Sequence, residues 1–411
     1  MATVPIYSGS IASLQGMKRP ANAPKRKPSE SPLDDSDDED ESVSESLSSS
    51  DAWMFPVMGS AVLFSLYLMF RYLNTDYINY LITGYFSLMG CMAVAKTGLL
   101  VTKKVVPVSL LKGNVDKYKL ILSKQGKRMT HVSFTVVHFI LLGASAVLTV
   151  YYSLTKNWIA SNVFGLCFSI NAIQLLSLDS FKTGMIMLSG LFFYDIFWVF
   201  GTEVMVSVAK NFDAPIKVIW PRNIIGYVLG AANEEHNFTM LGLGDIVIPG
   251  IFVALCLRFD RHMSWNRNPT GEFRSVAFPK PYFKSCLTAY ILGLATTMGV
   301  MHVFHAAQPA LLYLSPACIL STLITAAIRG EIKDLFAYTT EEEEEEKDAK
   351  EKEKEQEKEL IDEKEQEPVA EKEPEETSVA DDEGDDDYVA VGNEKASSKK
   401  KKGGKGGRKK K

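Results

Sequence analysis

The chain has 411 residues, 46% of them apolar, and a formal net charge of −5. That charge is the residue of acidic and basic blocks that nearly cancel at the two ends, so it carries no nucleic-acid reading. A mean hydropathy near zero likewise averages a membrane-like middle with polar tails, and excludes a reading as two ordinary soluble domains.

In chain order, residues 1–52 are expected to be a disordered acidic tail: MATVPIYSGSIASLQG lacks the long apolar core of a secretory signal, and DDSDDEDESVSESLSSSD follows. Eight apolar stretches come next, at 54–73, 78–101, 132–152, 158–178, 183–203, 241–257, 285–304 and 309–328. Each is near the roughly 20 residues that cross a hydrocarbon core of about 30 Å. They predict an all-α, polytopic transmembrane bundle of about eight spans over residues 53–338, with Phe55–Phe70 acting as an uncleaved targeting signal. Residues 339–411, which include EEEEEEKDAKEKEKEQEKE and end KKKKGGKGGRKKK, are expected to be a disordered charged C-terminal tail with a solvated helix within 340–366.

Positive charge orients the spans. Loop 102–130 carries eight Lys and Arg and loop 258–284 carries six, whereas 74–77 and 305–308 carry none. Both tails are therefore expected on the cytosolic side. The Asn237-Phe238-Thr239 acceptor is lumenal on this topology but too close to the next helix for modification. Five cysteines, Cys91, Cys167, Cys256, Cys286 and Cys318, lie in or beside apolar spans without paired spacing and read as small packing residues.

Two spans hold an aspartate: Asp195 in LFFYDIFWVF and Asp245 in MLGLGDIVIPGIFVAL. An ionisable group at mid-bilayer depth costs roughly 2.5 to 3.5 kcal/mol, so two demand a use. The topology makes their helices antiparallel neighbours, joined by residues 204–240, and lets the carboxyl groups face each other. Such a pair shares a proton; its anionic member activates water while the other protonates a carbonyl or leaving group, which is hydrolysis without a covalent intermediate. Gly242 and Gly244, flanking Leu243, loosen the start of the Asp245 helix where water or an extended substrate enters. Tyr194 sets a phenol beside Asp195 in sequence, and Pro309-Ala310-Leu311 begins a helix whose exposed start offers backbone edges to an unwound strand.

Tyr194-Asp195, Gly242-Leu243-Gly244-Asp245 and Pro309-Ala310-Leu311, in that order on three helices, resemble the GxGD intramembrane aspartyl proteases, a class shared by signal peptide peptidase and presenilin. Within it the chain closely resembles signal peptide peptidase, over about residues 55–338. The resemblance implies an endoplasmic reticulum protease that cuts remnant signal peptides and type II membrane segments, with Asp195 and Asp245 catalytic and Pro309, Ala310 and Leu311 shaping the site. It also implies nine spans, one more than the sequence offers, the missing one being amino-terminal. Arg408-Lys409-Lys410-Lys411 only partly fits a dilysine retrieval signal.

Two alternatives stand beside it. A proton or cation transporter would use the same aspartates but should show two related halves, and no internal repeat is visible. A presenilin-like subunit of a complex would carry a long cleavable insert, for which 204–240 leaves little room. His302 and His305 lack an HExxH and read as interfacial packing, so no metal or organic cofactor is expected. Lys96 is expected to snorkel, and Asn171 and Gln174 to bond between helices. Asp179 and Glu203, at helix ends, are not expected to be catalytic. The expected partners are transmembrane peptide substrates and the lipid bilayer, with self-association allowed for and no nucleic acid.

Overall fold

The computed structural model describes residues 1–17, 45–106, 117–124, 127–211, 215–221, 238–269, 275–304 and 308–339. Its first element corrects an expectation. Within the segment expected to be disordered, residues 3–13 form helix α1 (Thr3–Ser13), which a 3₁₀ turn extends to Gly16. Pro5, Ile6, Gly9, Ser10, Ala12 and Ser13 are buried in it. The approach is close because the face is small: a Cβ on Gly9 would lie 2.8 Å from Cβ of Ile173. Composition missed this helix because packing, not length or hydropathy, holds it. Strand β1 (Glu45–Leu47) follows and pairs in parallel with β4 (Leu176–Leu178).

Helix α2 (Ser49–Tyr72) begins before its apolar run because Ser48 and Asp51 form a capping box: Ser48 Oγ accepts from the Asp51 N–H at 3.4 Å, and the Ser48 N–H donates to Asp51 at 3.1 Å. Then come α3 (Thr75–Val105), an antiparallel hairpin of β2 (Lys117–Lys124) and β3 (Lys127–Thr135), α4 (Val136–Thr155), α5 (Trp158–Leu175), β4 and α6 (Phe181–Phe200). After α7 (Val204–Asn211), strands β5 (Lys217–Pro221) and β6 (Phe238–Gly242) make a second antiparallel pair. Helices α8 (Gly244–Arg267), α9 (Pro281–Phe304), α10 (Leu311–Arg329) and α11 (Ile332–Ala337) complete the order. Residues 132–135, 176–178 and 241–242, counted as span, are strand instead.

Among the described residues seven helices, α2 to α6 together with α9 and α10, are long and apolar enough to cross a membrane. Their outer faces carry large exposed apolar side chains such as Val57, Leu81, Val147 and Leu154, the pattern of a surface solvated by lipid. The eighth expected span is α8, which runs to Arg267 rather than ending at 257. Its continuous stretch from Phe252 to Leu257 is fully enclosed, as a helix apolar on every side must be. The buried Arg258, Asp260 and Arg261 in its second half set it apart from the other seven. Helices α1, α5, α6, α9 and α10 all pack on α8, so it forms the centre of the bundle.

Candidate active site

Helix α6 carries Asp195 on its inner face. Ser180 caps the helix, accepting from the Thr183 N–H at 3.3 Å, and Pro56, Gly59 and Ser60 of α2 brace its outer side. Gly190 allows that brace, since a Cβ there would meet Pro56 Cγ at 2.8 Å. The Trp198 indole N–H donates to Ser60 Oγ at 3.0 Å, locking the rotation that turns Asp195 inward. Asp195 is 5% exposed.

Asp245 reaches the same region by another route. The β5–β6 pair continues one residue past its strands, with the Leu243 N–H donating to the Ile216 carbonyl at 2.9 Å, so α8 starts at Gly244 directly from a sheet. Asn162 of α5 clips that sheet like an additional strand: its amide donates to the Ile219 carbonyl at 2.7 Å and accepts from the Ile219 N–H at 2.8 Å. Asp245 therefore falls in the first turn of α8, where free N–H groups and the helix dipole favour a carboxylate. Gly242 leaves it room, because a Cβ there would stand 3.4 Å from Asp245 Oδ2. Four residues on, Pro249 has no N–H to give back to the Asp245 carbonyl. The buried Tyr290 hydroxyl of α9 supplies that donor, at 3.3 Å.

The third component comes from α10. Pro309 and Ala310 are buried ahead of its first turn, and the Leu311 N–H donates to Asp195 Oδ2 at 3.3 Å. Asp195 lies within electrostatic reach of the Asp245 carboxyl. Three helices distant in sequence thus bring together Asp195, Asp245, Gly242, Leu243, Gly244, Pro309, Ala310 and Leu311. Tyr194, beside Asp195 on α6, packs its ring toward Gly59 of α2 and tilts against Trp198, with centroids 6.3 Å apart.

Both carboxyl groups meet backbone donors at a helix start: Asp195 receives the Leu311 N–H at the start of α10, and Asp245 is served by Gly242 ahead of α8. Two carboxyl groups within electrostatic reach do not both ionise cheaply, so the pair holds one proton between them. An anionic and a protonated carboxyl together supply the base and acid needed to add water to an amide.

Tyr290, Pro249 and Asn162 escaped sequence reasoning. A tyrosine within an apolar span, in LTAYILGLA, does carry a signal, because a buried hydroxyl needs a partner. Nothing in the sequence says which carbonyl it meets. Among the described residues no group of three His, Cys, Asp or Glu is placed to hold a metal ion. His302 is exposed on α9, and His305 and Asn237 lie outside the described residues. Asn171 bonds between helices as expected, donating to the Ala93 carbonyl at 3.1 Å and to Thr97 at 2.9 Å.

Comparison with known proteins bears on this geometry. A family model described as signal peptide peptidase matches residues 38–342. The signal peptide peptidase of Homo sapiens is 42% identical over 71% of this chain and 73% of its own length. That of Mus musculus is 43% identical over the same shares. A protein of Schizosaccharomyces pombe named "Probable intramembrane protease" is 36% identical over 70% of this chain and 82% of its own.

Proposed function

The chain belongs to the signal peptide peptidase family and is an intramembrane aspartyl protease, and from that premise we propose that Asp195 and Asp245 are the pair that performs the hydrolysis. The observation that carries this reading is the contact from the Leu311 N–H to Asp195, which joins the third helix to a pair already within electrostatic reach. One carboxyl of the pair, as the anion, removes a proton from water while the oxygen bonds to the scissile carbonyl carbon, and the other gives its proton to the carbonyl oxygen. As the tetrahedral diol collapses the C–N bond breaks, the first carboxyl passes its proton to the departing amine and the second takes a proton back from the diol, which restores the pair for the next turnover.

A helical peptide bond is shielded by its own hydrogen bonds, so substrate must unwind first. Strand β6 runs into the Gly242-Leu243-Gly244 approach to Asp245, and the extended substrate lies alongside it, exchanging helix bonds for strand bonds. Residues of weak helix propensity near the cut assist this. Substrates on this reading are transmembrane segments such as remnant signal peptides and type II membrane anchors. The chain acts in the endoplasmic reticulum membrane with both ends cytosolic, following the alternating loop charge. No finding favours the transporter alternative.

The test is incubation of the purified, detergent-solubilised chain alone with a signal-peptide substrate, reading new peptide ends by mass spectrometry. Asp195→Ala and Asp245→Ala should each lower the rate by on the order of 10²-fold or more while the protein still inserts and purifies. Near-normal cleavage by either variant ends the pair assignment. Activity of the lone chain also separates this reading from a subunit that needs partners.

A further inference from the structure

The ends of α8 and α10 and the start of α9 enclose a cavity of about 430 Å³ on the side of the bundle away from the aspartates. Six charged side chains line it: Asp260, Arg267, Lys280, Lys284, Arg329 and Glu331. Both carboxylates are buried and already occupied. Asp260 accepts the Tyr282 and Phe283 N–H groups at 3.2 and 2.8 Å, capping α9. Glu331 accepts from the Tyr282 hydroxyl at 2.8 Å and from Arg329 at 3.0 Å, and pairs with Arg267.

The two lysines have no ion pair within 4 Å among the described residues; the Lys280 ammonium lies 4.9 Å over the Phe278 ring and feels Asp260 at longer range. They stand one helical turn apart at the mouth, Lys280 half-buried and Lys284 exposed. Burial, and then the charge of Lys284, push Lys280 below its ordinary value. A fold that holds two like charges against each other beside two arginines has made room for an anion.

Place narrows the class. The mouth lies at the start of α9 and the end of α10, two helices long and apolar enough to cross a membrane, and a pocket between the ends of two spans falls at the level of the lipid headgroups, where basic pockets suit phosphorylated ones. Its volume falls in the range of small-molecule sites. We propose that this cavity binds the phosphomonoester headgroup of an anionic membrane lipid, with Lys280 and Lys284 contacting the phosphate and Arg267 and Arg329 lining the pocket. The site is independent of the catalytic assignment.

Thermal melting of the full chain in detergent micelles tests it, with phosphatidylinositol 4-phosphate, phosphatidylcholine, soluble inositol phosphate and inorganic phosphate added in turn. The phosphoinositide should raise the midpoint by about 5 °C at a hundredfold excess over its dissociation constant. Phosphatidylcholine should not. A Lys280→Gln/Lys284→Gln variant should melt no lower than the parent without lipid and lose the shift, whereas Asp195→Asn should keep it. Equal shifts in parent and lysine variant, or no shift with the phosphoinositide, overturn the proposal. A shift of the same size from the soluble phosphates at equal concentration overturns the lipid as the source.

Discussion

Tyr290 shows how much of this site rests on single atoms. Pro249 takes away the helical donor that the Asp245 carbonyl would otherwise have, and the Tyr290 hydroxyl at 3.3 Å replaces it. Tyr290→Phe leaves that carbonyl unsatisfied next to the reacting group. The expected result is a loss of about 1 kcal/mol of stability together with a several-fold fall in kcat and little change in KM, measured by melting and by initial rates. A variant with parental kcat would show that the carbonyl finds another donor. At this scale the aspartates stood out in the sequence because an ionisable residue is costly at depth. The hydroxyl signalled only that it needs a partner, and the sequence does not say which carbonyl it meets.

Between elements, the spacing of α6 and α8 decides whether the two carboxyl groups meet. Gly184 on α6 sits against Phe252 on α8; a Cβ there would stand 2.7 Å from the ring and 3.2 Å from Leu178. Gly184→Val should therefore separate the helices, destabilise by about 1 to 3 kcal/mol and lower the cleavage rate more than it lowers the amount of folded protein. A second junction joins α8, α9 and α10 at their far ends. Gly330 ends α10 in the left-handed region, at φ 70°, which turns Glu331 back toward Tyr282, Arg267 and Arg329. Burial pushes the Glu331 carboxyl up, but hydrogen bonds from Arg329, Tyr282 and Arg267 more than offset it and hold it below its ordinary 4.5. The stability this supplies is present above 4.5 and is lost as pH falls through the folded value. Glu331→Gln should accordingly melt lower at pH 7, by about 1 to 3 kcal/mol. The gap to the parent should close as the medium is acidified below about pH 4. A gap that persists unchanged in acid would point to packing rather than charge.

For the molecule as a whole, the unexpected part is α1. It covers α5 and α8, the helices that hold the sheet clip and Asp245, and Ile6 is wholly buried against them, close to the backbone of Gly250. Ile6→Ala should cost about 2 to 4 kcal/mol, a large share of the stability of a typical domain. A loss under 1 kcal/mol would mean that the amino-terminal helix is only loosely attached.

The class and the chemistry were legible without coordinates, since hydropathy is a local property and two acids within apolar runs stand out wherever they fall. Seven of the eight expected spans correspond, among the described residues, to helices long and apolar enough to cross a membrane, and Asp195 and Asp245 stand out within their apolar runs. The tertiary structure decided what depends on surfaces meeting: that an eleven-residue helix is buried inside the first expected tail, that α8 extends past its apolar run, and that Tyr194 packs toward α2. It also decided that the Leu311 N–H reaches Asp195 and the Tyr290 hydroxyl the Asp245 carbonyl. A donor and acceptor 116 or 45 residues apart leave no periodicity to read, because only packing determines which unsatisfied backbone group each will face.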